Sequence, residues 1–364
     1  MVSKRARNLG WKLRGTPGEN NAITDVGGVL VGSETLNESG GVIRTGVTTI
    51  LPLGYSTEGR LVCAGIHSLN GNGEMTGSHW IRDAGHFLGP ICITNTHSVG
   101  IAHHAAVKWM IRHYNQAFAD QHLWAIPVIA ETSDGVLNDI NGQHIREEHV
   151  LQALNNARDG AVAEGNTGGG TGMICYEFKG GTGTSSRQVD IAGRTYTFGV
   201  LVQANHGRRD WLTILGEPVG MELRDNRLFD RERGSIIVII ATDAPLRPDQ
   251  LNRLARRAGI GISKTGTPGG NNSGDIFLAF STANNRPLPK VDEALQRSEH
   301  LNDEVLDAAY EAVVDAADES ILNAMLAAQD MTTLKPPGHL CKALDAESVT
   351  QILRRAGKVY DAPS

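Results

Sequence analysis

Along the 364 residues, short apolar runs rich in β-branched side chains alternate with longer stretches whose apolar positions recur every three or four residues. Residues 27–32 (GGVLVG), 46–53 (GVTTILPL) and 61–66 (LVCAGI) are glycine-bounded runs of the first kind and predict buried strands. Residues 99–114 place Ile101, Ala105, Val107, Met110 and Ile111 near helical spacing, and residues 124–130 (WAIPVIA) return to a strand pattern. Residues 198–204 (FGVLVQA) and 235–241 (SIIVIIA) are apolar without alternation, as central strands covered on both faces are. After Asp243, a candidate N-cap, residues 247–258 predict a helix with Leu251, Leu254 and Ala255 inward and Gly259 as its stop. Residues 263–274 (SKTGTPGGNNSG) are rich in turn formers, and residues 275–281 (DIFLAFS) resume a strand, so Ser273 falls at a loop-to-strand junction. Residues 302–329 predict a long alanine-rich helix with Leu306, Val313, Ala317, Ile321 and Met325 along one side. This is the pattern of a layered α/β protein, at a length that one large domain accommodates.

With 40% hydrophobic and 20% charged residues the chain has the balance of a folded globule. A net charge of −6 and a pI near 6.1 argue against nucleic acid or an anionic membrane as partner, because both select basic surfaces. No run of 18 apolar residues occurs, and residues 1–15 lack the apolar core of a secretion signal. Cys63, Cys92, Cys175 and Cys341 are far apart and form no C-x-x-C pair, which predicts buried reduced thiols and a cytoplasmic protein.

Candidate chemistry concentrates at Gly269-Gly270-Asn271-Asn272-Ser273-Gly274-Asp275. Glycines allow an open, strained turn, and the Ser273 hydroxyl follows a carbonyl that it can attack. Hydrolysis of the resulting ester would cut Asn272-Ser273 and free an α-amine titrating near ~8, a general base for its own hydroxyl. The same residues also suit an ordinary surface turn entering a strand. Asn205 ends an apolar strand, where its amide can donate to an oxyanion or satisfy a turn. Asp318 and Glu319 lie on the long helix, as proton-shuttling carboxylates or as a solvated face. Glu131 closes the run WAIPVIAE and can hold a cationic amino group or cap the strand. The glycine-rich residues 165–183 lack both phosphate-loop signatures, so close backbone packing is the expected reason for them. His97, His103, His104 and His113 have no carboxylate at metal-ligand spacing, and neither a metal nor a cofactor is expected.

The sequence resembles the β-aminopeptidase family, also called the L-aminopeptidase/D-esterase family. The matching pieces are Arg14-Gly15 with Pro17-Gly18, residues 21–26 (NAITDV), 70–77 (NGNGEMTG), 131–141, 165–187 (GNTGGGTGMICYEFKGGTGTSSR), 202–207 (VQANHG) and 269–284. The resemblance implies an α/β fold, a four-layer αββα sandwich, in which residues 1–272 and 273–364 become a larger and a smaller chain of one globular domain. It also implies a homo-oligomer of such heterodimers that removes amino-terminal residues from small peptides, amides or esters. Ser273 then matches the nucleophile, Asn205 the oxyanion donor and Glu131 the acid that receives the substrate's amino group. The family's helix carries a hydroxyl residue, a spacer and two acids. Here the run is Ala316-Ala317-Asp318-Glu319, so the hydroxyl is absent, the first acid is shorter and either carboxylate stays a candidate. Ser133 stands where the family often has an aromatic residue near its acid. The competing readings are an acyltransferase of the ornithine-acetyltransferase type, which uses threonine as nucleophile, and an uncleaved scaffold without chemistry.

Overall fold

Two sheets face each other in the computed structural model, which describes residues 4–120, 123–288 and 294–360. The smaller sheet contains Leu30–Asn37 (β1), Arg44–Leu51 (β2), Ile91–Thr94 (β5) and Val128–Glu131 (β6), in the order β1-β2-β5-β6. The larger contains Arg60–Gly71 (β3), His86–Leu88 (β4), Gly181–Ile191 (β9), Arg194–Asn205 (β10), Ser235–Thr242 (β11) and Gly274–Pro287 (β12), in the order β4-β3-β12-β11-β10-β9. Ile174–Cys175 (β7) pairs with Phe178–Lys179 (β8), and Met331–Leu334 (β13) with Pro337–Cys341 (β14), as separate hairpins. Helices Val99–His113 (α2) and Glu147–Asn155 (α4) cover the smaller sheet, and Pro248–Lys264 (α6) and Asp307–Leu326 (α7) cover the larger. Ser78–Ala84 (α1), Asn115–Asp120 (α3), Val219–Glu222 (α5) and Ala346–Arg355 (α8) complete the helices. The layers are therefore α, β, β, α.

Strand β11 shows why its sequence is apolar throughout. Ile237, Ile239 and Ala241 join Ile91, Ile93 and Val128 between the sheets, whereas Ile236, Val238 and Ile240 join Leu254, Ala258 and Val313 beneath the helices. Each of these aliphatic side chains contributes roughly 1.5–3 kcal/mol on burial, so neither face tolerates the polar half of an alternating pattern. The strands expected at residues 61–66, 198–204, 235–241 and 275–281 lie on β3, β10, β11 and β12, and that at residues 46–53 lies on β2 as far as Leu51, with Pro52 and Leu53 in the turn that follows. Others need correction. Of residues 27–32, only those from Leu30 are strand, and of residues 124–130 only those from Val128.

The helix expected to stop at Gly259 continues to Lys264, because Gly261 lets α6 approach α7: a Cβ there would stand 2.7 Å from the Ala317 side chain. Asp243 does not cap that helix. Its carboxylate accepts the Thr197 N–H at 2.8 Å, and Arg247 occupies the N-cap position. The long helix begins at Asp307 after a 3-10 turn at Asp303–Val305 and ends at Leu326. All four cysteines are free and buried. Among the described residues no helix is long and apolar enough to cross a membrane.

The glycine-rich stretch is where backbones touch. At Gly183 on β9 a Cβ would meet the Ser320 carbonyl oxygen at 2.0 Å, so α7 rests directly on the strand. Gly183→Ala is expected to push α7 away and to destabilise the fold by about 1–3 kcal/mol, the usual cost of overpacking a tight site. Urea unfolding of the variant beside the parent checks this.

Candidate active site

The first residue of β12 fixes the position of Ser273. Gly274 pairs with Gly71 and Asp275 with Asn70 on antiparallel β3, while Asp275 lies opposite Ile236 on parallel β11. A Cβ on Gly274 would stand 2.2 Å from the Asn72 carbonyl oxygen, so a larger residue would force the two strand ends apart. The Gly274 N–H donates to Ser235 Oγ at 3.0 Å and the Ser273 N–H to the Gly270 carbonyl at 3.0 Å, closing a tight turn before the strand. Ser273 is buried, whereas Asn271 and Asn272 are exposed. The Ser273 hydroxyl donates to Asp275 Oδ1 at 2.6 Å. Burial pushes the Asp275 carboxyl up from its ordinary value, against the hydrogen bonds from Ser273 and Asn70.

Glu131, at the end of β6, reaches this turn from the opposite sheet. A Cβ on Gly73 would stand 3.2 Å from Glu131 Oε1 and 3.6 Å from Gly274 Cα, so the carboxylate and the nucleophile strand flank one side-chain-free position. Glu131 accepts the Glu74 N–H at 3.0 Å and the Thr96 hydroxyl. Burial pushes its carboxyl up, opposed by those two hydrogen bonds, and the neighbouring Glu74 pushes it further. Among the described residues no arginine or lysine pairs with Glu131, though His97 lies near enough to oppose the upward push, and a buried carboxylate held this way would gain a full ion pair from an ammonium ligand.

Asn205 ends β10 opposite Ser235, so Asn205, Ser235 and Gly274 stand in one row across three adjacent strands. Its Oδ1 accepts the Ile174 N–H at 2.8 Å and its Nδ2 donates to the Ser133 carbonyl at 3.0 Å. It lines a cavity of about 220 Å³ together with Ser133, His206, Phe229, Arg233 and Gly234. Ser133 thus ties the oxyanion candidate to the segment that carries Glu131.

The two helix acids have other partners. Glu319, with no exposed side-chain surface, accepts from Arg7 Nε at 2.9 Å, from Arg187 at 2.7 Å and from Asn21 Nδ2 at 2.6 Å. This joins α7 to β9 and to the chain's start. Asp318 pairs with Lys264 at 3.1 Å, and burial pushes its carboxyl up. Neither is hydrogen-bonded to Ser273. The groups that do surround the serine, Asp275, Asn70, Asn72 and Ser235, were not singled out in the sequence. Their signal was local: Asp275 is two residues beyond the serine, and Asn70 and Asn72 alternate in the NGNG run. Among the described residues no cluster of three or more His, Cys, Asp or Glu is placed to hold a metal ion.

The profile of Peptidase family S58 matches residues 21–337. The chain belongs to that family. It is 44% identical to the β-peptidyl aminopeptidase BapA of Sphingosinicella microcystinivorans, over 96% of this chain and 92% of that protein. It superposes on the L-aminopeptidase D-Ala-esterase/amidase of Ochrobactrum anthropi, described as a prototype of the serine aminopeptidases with a variant Ntn hydrolase fold. The TM-score is 0.93 and the identity 54%, over 98% of this chain and 99% of that one. A Burkholderia β-aminopeptidase superposes with a TM-score of 0.89 at 45% identity, over 97% and 99% of the two chains. The protein is a serine-type aminopeptidase of the N-terminal-nucleophile class, and its αββα layering is that of the family.

Within this S58 enzyme the Glu319 cluster makes a separable prediction. Glu319→Gln leaves the almost fully buried Arg187 without its anion, a change expected to cost on the order of 3 kcal/mol. Guanidinium unfolding of Glu319→Gln should show that loss. An unchanged midpoint would mean that the cluster does not hold α7 in place.

Proposed function

We propose that the chain cuts itself at Asn272-Ser273 and then uses Ser273 to remove amino-terminal residues from small peptides, amides or esters. The observation that carries the reading is a buried serine hydroxyl, hydrogen-bonded to a carboxylate, directly after an exposed Asn272 carbonyl and across one glycine from Glu131. After cleavage, residues 1–272 and 273–364 stay together, because β12 is wedged between β3 and β11.

In the matured enzyme the Ser273 α-amine takes the hydroxyl proton as Oγ attacks the substrate carbonyl. Asn205 releases the Ser133 carbonyl and donates to the developing oxyanion, an interaction whose loss ordinarily costs 10²–10³-fold in rate. Glu131 holds the substrate ammonium by charge-assisted bonds. The leaving amine takes the proton back from the α-ammonium, and water then hydrolyses the acyl-enzyme by the same route in reverse. Asp318 and Glu319 act on this site only through the packing of α7. Relatives named for β-peptidyl and for L-aminopeptidase, D-Ala-esterase and amidase activity support small amino-terminal residues as leaving units. The family resemblance supports a homo-oligomer of heterodimers, and the free buried thiols support a cytoplasmic setting.

Two measurements test this. Intact mass of purified protein should show fragments 1–272 and 273–364, and Ser273→Ala should stay folded, uncut and inactive. An alanine p-nitroanilide should be hydrolysed while its N-acetyl twin loses at least roughly tenfold in kcat/KM, because each lost charge-assisted contact costs about 1.5–3 kcal/mol. Equal turnover of both, or acyl transfer from N-acetylornithine to glutamate outrunning hydrolysis, would replace the aminopeptidase reading by the transferase one.

A further inference from the structure

The mechanism of turnover leaves the first cut without a base and without an oxyanion donor. Before cleavage the Ser273 nitrogen is an amide, its N–H bound to the Gly270 carbonyl, and an amide nitrogen cannot accept the hydroxyl proton. Asn205 donates its Nδ2 hydrogen to the Ser133 carbonyl and accepts from Ile174, and it is Asn72, not Asn205, that is hydrogen-bonded to the scissile carbonyl. The uncut chain nevertheless presents both functions from other residues. Asn72 Nδ2 donates to the Asn272 carbonyl oxygen at 2.6 Å, on the very bond to be cut. Asp275 Oδ1 accepts the Ser273 hydroxyl at 2.6 Å. Asn70 Nδ2 holds the other Asp275 oxygen at 2.9 Å and the Gly270 carbonyl at 3.1 Å, fixing the carboxylate and the turn together.

We infer that self-cleavage and substrate hydrolysis share the Ser273 nucleophile but use different assistants: Asn72 and Asp275 for the cut, Asn205 and the new α-amine for turnover. This rests on the proposal that Ser273 is the nucleophile. The Asp275 carboxylate takes the Ser273 hydroxyl proton as Oγ bonds to the Asn272 carbonyl carbon, and the negative charge that develops on that oxygen stays within the Asn72 hydrogen bond. The carbon-nitrogen bond breaks, the nitrogen takes the proton from Asp275, and an ester joins Asn272 to Ser273 Oγ. Water then adds to the ester, releasing the Asn272 carboxylate and returning the hydroxyl to Ser273. The exposure of Asn72 and Asn272 gives water access to that ester, while the serine itself stays buried.

The register explains why Asn72 is in place. β3 and β12 pair Asn70 with Asp275 and Gly71 with Gly274, and the missing side chain at Gly274 lets residue 72 lie over the strand start. The NGNG run therefore carries one amide for the base and one for the scissile carbonyl.

The test follows cleavage and turnover separately in the full-length chain, by gel densitometry of the precursor and by alanine p-nitroanilide hydrolysis per cleaved Ser273. Asn72 is exposed, so Asn72→Ala is the deciding variant, and a circular dichroism melt confirms its fold. Its cleavage rate should fall 10-fold to 10³-fold, at least ten times more than its turnover per cleaved chain. Isosteric Asp275→Asn should likewise accumulate precursor. Asn205→Ala should show the opposite split, with turnover falling more than cleavage. If Ser273→Ala is uncut but Asn72→Ala matures at the parental rate, this inference is overturned while the nucleophile stands. If Ser273→Ala itself is cut, the nucleophile assignment fails first.

Discussion

Everything at the site depends on how closely β3 approaches the start of β12. The Asn72 carbonyl lies where a Gly274 side chain would be, and that contact sets the register of both strands at the turn. A register slip of one residue would turn every side chain of β12 to the other face, sending Ile276 and Leu278 under the helices and Phe277 between the sheets. The apolar alternation of β12 thus holds the serine in position from inside the protein, and the glycine holds it from the rim.

Electrostatics at this rim run in one direction. Asp275, Glu131 and Glu232 are all buried carboxylates whose acidity burial weakens, and among the described residues none is hydrogen-bonded to an arginine or lysine. They are held by amides and hydroxyls. The contrast is with Glu319, whose carboxylate is held by two arginines and so already has fixed cations where a substrate ammonium would otherwise bind. A rim that is short of cations suits a substrate with a free amino group.

Much of this was legible in the sequence, for reasons that differ by element. The runs 198–204, 235–241 and 275–281 are apolar on both faces, and only a central strand between a sheet and helices makes that favourable. The end of α6 lies beyond the expected stop because the helix runs on through Gly259 to Gly261, whose close approach to Ala317 on α7 is a contact that periodicity along one segment does not show. The turn and the resemblance point to Ser273, and a strand ending in an acid points to Glu131. Asn72 was missed because its meaning lies in the pairing of β3 with β12, some two hundred residues apart in the chain, and single-sequence periodicity carries no register between distant strands, whereas Asp275 stood two residues from the serine and only its side-chain direction was missing. Asp318 and Glu319 drew attention by type and family position. Burial of such acids is equally well explained by an ion cluster, and only the positions of Arg7, Arg187 and Lys264 distinguish the two.

An enzyme whose base is its own amino terminus has to solve the cut before it can solve turnover, and the two problems differ in geometry. In the cut, the carbonyl belongs to the residue before the serine, and the chain fixes its direction. In turnover, a substrate carbonyl arrives from solvent, and the group that receives its charge has to stand where the departed Asn272 no longer blocks the way. Asn205 sits two strands across from Ser273, on the side of the 220 Å³ cavity, whereas Asn72 comes directly after the end of the neighbouring strand β3. One serine between two amides on opposite sides is therefore what two carbonyls approaching from different directions require.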